Sequence, residues 1–96
     1  MKLSHTPGPW DWHGPYMTGG YKVSALDKDG HQTMQAFVDR ADRATNEANA
    51  RLIAAAPDLL AALLRCVAVL EQTGPMPSAI CTEARAAIAK ATGVPA

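Results

Sequence analysis

A proline sits inside the most helical stretch of this chain. Residues 46–64, NEANARLIAAAPDLLAALL, are mostly alanine, leucine and other strong helix formers, and Pro57 interrupts them. Proline has no amide to donate and its ring collides with the carbonyl one turn back, so one straight helix through Pro57 is the costly arrangement. The sequence therefore predicts a first helix that ends or kinks at Pro57. A second then opens with Pro57 in its first turn and Asp58 near its positive end.

Spacing assigns the faces of these helices. Arg43, Glu47 and Arg51 recur every four residues and form a solvated ion-pair ladder, while Asn49, Leu52, Ile53 and Ala56 fall opposite them. Asn49 is thus expected in the middle of the buried face, where an amide must be hydrogen-bonded. It either pairs with the backbone of the N-terminal loop or a strand end, or it meets a ligand together with Asn46, one turn earlier. Beyond Pro57, the residues Leu59, Leu60, Leu63, Leu64, Val67 and Leu70 make the strongest amphipathic stripe and are expected to supply most of the core. That helix should stop at Thr73-Gly74-Pro75. A third, from Pro77 or Ser78 to Ala91 and closed by Gly93, should fold back on it as an antiparallel hairpin.

The chain before the helices has another character. Residues 1–20 are rich in Pro and Gly and hold one short strand, Trp10 to His13, with both tryptophans on one face. Tyr21 to Leu26 alternates as a half-buried strand does. Asp27-Lys28-Asp29-Gly30 has the chemistry of a tight turn, and Gln32 to Val38 reads as the returning strand, so residues 21–38 form a β-hairpin. The expected fold is a single small α+β domain: a two- or three-stranded antiparallel meander packed on two to three helices within residues 41–93. Of the 19 alanines, 17 lie from Ala41 onward, and alanine buries little area, so the core is thin and a homodimer or higher oligomer is expected.

Charge excludes some partners. Lys and Arg total 9, as do Asp and Glu, and residues 1–38, 39–65 and 66–96 each sum to zero. No basic face for duplex nucleic acid is implied. The N-terminus lacks an apolar signal core, and the run near Leu59–Leu70 is broken by Arg65, so the expectation is a cytoplasmic protein with no membrane partner. Cys66 and Cys81 are expected as reduced, packed thiols. His5, His13 and His31 share no metal-ligand spacing, and no carboxylate is placed to orient them. No catalytic residue, cofactor or phosphate loop is expected, and hence no enzyme activity.

Two motifs carry a resemblance. HTPGPW at residues 5–10, followed after the hairpin by ANARLIAAAPDLLAAL at residues 48–63, resembles a large group of small bacteriophage and prophage accessory proteins of unassigned function. The resemblance spans nearly the whole chain and transfers no catalytic residues. It implies a role inside the bacterial host, where such accessory proteins often act against antiviral defence. The expectation is sequestration of a nucleotide-derived immune signal, with Trp10 or Trp12 stacking a base and Asn46, Asn49 and Arg51 making polar contacts. The alternatives are a protein-protein inhibitor of a host defence complex, as an anti-CRISPR is, and a structural or assembly factor.

Overall fold

The computed structural model describes residues 5–72 and 78–93. Three strands, β1 (Trp10–His13), β2 (Tyr21–Leu26) and β3 (Gln32–Val38), precede two helices, α1 (Arg43–Gln72) and α2 (Ser78–Thr92). The sheet is an antiparallel meander in the order β1-β2-β3. Its hairpin turn is fixed by chemistry the sequence announces. The Asp27 carbonyl accepts from Gly30, the Asp27 amide donates to His31, and Gly30 takes the positive φ of 83° that a side chain would resist.

Contacts divide the chain into two compact units, Thr6–Asp58 and the chain from Leu59 together with His5. In the first unit, register places Trp10, Trp12, Tyr21, Val23, Ala25, Met34, Ala36 and Val38 on one face of the sheet. The N-terminal half of α1 covers that face: Ala50 and Ala54 meet Tyr21 and Val23, ringed by Trp10, Trp12, Met34, Val38 and Ile53. Alanine at the contact lets the helix approach the strands closely, and the rings supply the bulk that alanine lacks.

This reverses two expectations. The core is made by the helix before Pro57. In the leucine stripe after it Leu60, Leu63, Leu64 and Val67 are only half-buried, and Leu59 and Leu70 are exposed, at 54% and 43%. Nor does the helix break: α1 runs from Arg43 to Gln72 with Pro57 inside it. The strong helix formers Ala54–Ala56 and Leu59–Leu64 flank the lost hydrogen bond, and the Pro57 ring is seated against the lead-in. A Cβ built at Gly8 would lie 3.1 Å from the Pro57 Cβ, so glycine is what allows that approach. The predicted discontinuity survives in the contacts, because the first compact unit ends at Asp58, one residue later.

In the second unit, an ion pair joins Glu71 on α1 to Arg85 on α2, as a helical hairpin requires. Gly93 takes a φ of 73° and its amide reaches the Ala89 carbonyl, ending α2 where expected. The stop at Thr73-Gly74-Pro75 lies outside the described residues. Cys66 is free and exposed rather than packed, and the Cys81 side chain also lies outside the described residues. Among the described residues, α1 is long and apolar enough to cross a membrane: an 18-residue window has mean hydropathy 2.0 with 6% of it buried, Arg65 notwithstanding.

Candidate functional site

The five residues expected to bind a ligand do not converge. They divide between two sides of α1 because β1 and β3 are opposite edges of the sheet beneath it. On the β1 side, Trp10 is half-buried with its Nε1 donating to the Thr6 carbonyl at 3.1 Å. Trp12 is half-buried as well, because alternation puts it on the same covered face. Its ring centroid is 5.8 Å from that of Tyr21, and the Arg51 guanidinium stands 5.2 Å above it. Arg51 also pairs with Glu47 at 3.4 Å, the predicted ladder contact. Both tryptophans and Arg51 thus have structural partners already.

On the β3 side the two asparagines exchange the roles the sequence suggests. Asn49 is exposed, while Asn46 is 1% exposed and fully engaged. The Asn46 Nδ2 donates to the carbonyls of Gly19 at 3.1 Å and Ala41 at 2.9 Å, and its Oδ1 accepts from the Ala41 amide at 3.1 Å. The backbone latch expected of Asn49 is made one turn earlier. The reason is the helix phase: Ala50 and Ala54, small enough to touch the sheet, define the inward direction, and Asn46 shares it.

Asn46, Asn49, Leu52 and Ile53 of α1, with Phe37 and Arg40 at the end of β3, line a groove of about 500 Å³. That volume is within the range of small-molecule sites. Leu52, expected inward, forms its outer lip at 64% exposure, opposite Phe37 at 63%. The Arg40 side chain is fully exposed and 3.9 Å from Asp39. The groove offers an apolar wall, an exposed amide and a guanidinium, with Phe37 at its rim. Phe37 is the residue sequence reasoning passes over, since alternation sets it on the sheet's polar face. A lone aromatic there, among Gln and Thr, is the signal.

Asp42 caps α1 at the same corner. Its carboxylate accepts from the Thr45 amide at 3.0 Å and the Thr45 hydroxyl at 2.9 Å, and the amide bond above all lowers its pKa below the usual carboxylate value. At the other end of β3, Asp27, Asp29 and His31 bring one potential ligand atom each within 4.8 Å of one another, all exposed. The turn itself explains the cluster: Asp27 Oδ1 accepts from the amides of Asp29 and His31, and Oδ2 lies 3.5 Å from the His31 Nδ1. A carboxylate does therefore orient His31, contrary to expectation.

An open three-stranded sheet followed by two helices, with a groove beside its last strand, defines a small α+β protein. The chain belongs to the family described as Salmonella phage P22 protein Y8K6, whose model matches residues 1–95, and it is thus a small phage protein. No curated protein and no solved structure matches it.

Proposed function

We propose that this phage protein is a non-catalytic binder that antagonises host antiviral defence in the bacterial cytoplasm by sequestering a nucleotide-derived immune signal. The observation that carries the reading is the groove between β3 and α1, about 500 Å³ in volume. Asn49 can donate to and accept from a base edge, Leu52 and Ile53 give the base an apolar wall, and the exposed Arg40 guanidinium is available to a phosphate. Trp10, Trp12, Asn46 and Arg51, expected as contacts, act here as the frame that holds this groove in shape. The test is thermal unfolding against a panel of cyclic and ADP-ribose-type nucleotides. A ligand at about 100 times its Kd stabilises the fold by about 2.7 kcal/mol, and Asn49→Ala should abolish the shift without lowering the midpoint of the free protein.

One observation favours a protein inhibitor as the second reading. Leu26 at 62% exposure and Phe37 at 63%, whose backbone rims the groove, project their side chains from the sheet face turned away from α1. Large exposed apolar side chains on such a face suit a protein partner. No shift with any nucleotide, together with co-purification of a host defence protein, would select this reading, and failure of both tests would leave an assembly role.

A further inference from the structure

Away from the side that Ala50 and Ala54 turn to the sheet, α1 carries a second apolar row. Leu52, Leu59 and Cys66 recur every seven residues, and Ala55, Ala62 and Val69 follow each of them by three, which is the spacing of a seam between two helices. All but Ala55 are exposed, Leu52 at 64%, Leu59 at 54% and Val69 at 56%. The half-buried Leu60, Leu64 and Val67 lie off this row, so the core contacts of the chain use other faces of α1. Asp58 and Arg65, both exposed, flank the row on one side. Neither has an opposite charge three or four residues away on its own helix, whereas Arg51 has Glu47.

We infer that α1 packs antiparallel on α1 of a second copy about a two-fold axis, with Leu59 of each beside Ala62 of the other. In that register Ala55 lies beside the partner's Cys66, and Leu52 beside the partner's Val69. Small side chains near the axis let the helices approach closely, and larger ones close the ends. Charge then fits as well. Antiparallel pairing brings the same flank of both helices together. The level of Asp58 on one helix is that of residue 63 on the other, and Arg65 is two residues on, about 3 Å along the axis. Asp58 therefore meets the partner's Arg65, twice by symmetry. Sliding one helix by seven residues sets Asp58 against Asp58 in one direction and Arg65 against Arg65 in the other. A parallel pair would put both charges beside the partner's Leu63 and Leu70. The charges thus select one partner orientation and one register.

The inference is independent of the nucleotide reading, because mass is measured on the full chain without ligand. Light scattering or sedimentation should give about twice the 10.1 kDa chain mass at micromolar concentration. Asp58→Arg and Arg65→Asp should each weaken association roughly tenfold or more by setting like charges together. Mixed in equal amounts, these two variants should associate with each other, since both flanking contacts of the mixed pair again join Arg to Asp. Leu59→Glu, which places a charge in the seam and leaves both ion pairs in place, should give a monomer. All variants should keep the circular dichroism of the native chain, since the three side chains are exposed. A native chain that is monomeric overturns the inference. So does a dimer indifferent to the single changes, which would place the contact elsewhere, and so does a mixture no heavier than the separate variants.

Discussion

Among the described residues, Asn46 is the buried polar side chain whose removal should do the most damage. Asn46→Ala takes the partner from the Ala41 amide, the Ala41 carbonyl and the Gly19 carbonyl at once, at a position 1% exposed. At about 1 kcal/mol net for each bond, the loss is roughly 3 kcal/mol. For a domain of this size that lowers the thermal midpoint by roughly 12–24 °C. Asn46→Asp sharpens the test, because it keeps the shape and the acceptor but turns a carboxylate toward two carbonyl oxygens. Burial and those oxygens raise the folded pKa of the new acid. A raised acid pKa means that ionisation opposes folding, so N46D should be nearest to native stability below about pH 4 and lose stability as pH rises toward about 7. Urea unfolding followed by circular dichroism across that range reads both effects. An N46A chain within about 0.5 kcal/mol of the native one, or an N46D chain with no excess pH dependence, would refute the latch.

The helix cap makes a prediction of opposite sign. The lowered pKa of Asp42 contributes stability above the ordinary carboxylate pKa, and this is lost as pH falls through the folded value. Thermal midpoints of native and Asp42→Ala chains should therefore differ at neutral pH and converge in acid. Ala50→Leu forces three extra carbons into the contact with Tyr21 and Val23 and should cost about 1–3 kcal/mol by urea titration. Pro57→Ala restores one helical hydrogen bond and gives up the ring contact at Gly8, so it should stabilise the fold by about 1 kcal/mol, measured the same way.

The strands were legible because alternation survives in short segments. Trp10–His13, Tyr21–Leu26 and Gln32–Val38 are bounded in the sequence where they are bounded in the fold. The helix faces were less legible, since hydrophobicity ranks leucine above alanine while close packing against a sheet favours the smaller side chain. That is why Leu52 was read inward and the buried amide was expected at Asn49 and not at Asn46. Pro57 misled as a helix terminus because its local cost is offset by flanking helix formers and by Gly8, which is distant in sequence. The groove was half legible: Asn46 and Asn49 do line it, whereas Phe37 and Arg40 join it only through the turn from β3 into α1.

The exposed apolar side chains of α1 and α2 have a thermodynamic consequence. Leu52, Leu59, Val69, Leu70 and Ile80 remain between 43% and 64% exposed in the folded chain. Surface already in water changes nothing when the chain unfolds. The heat-capacity increment should therefore fall below the roughly 1.2–1.4 kcal/mol/K usual for this length, and the urea m-value should fall with it. A small increment flattens the stability curve, so the isolated chain is held weakly but almost evenly over a wide span of temperature.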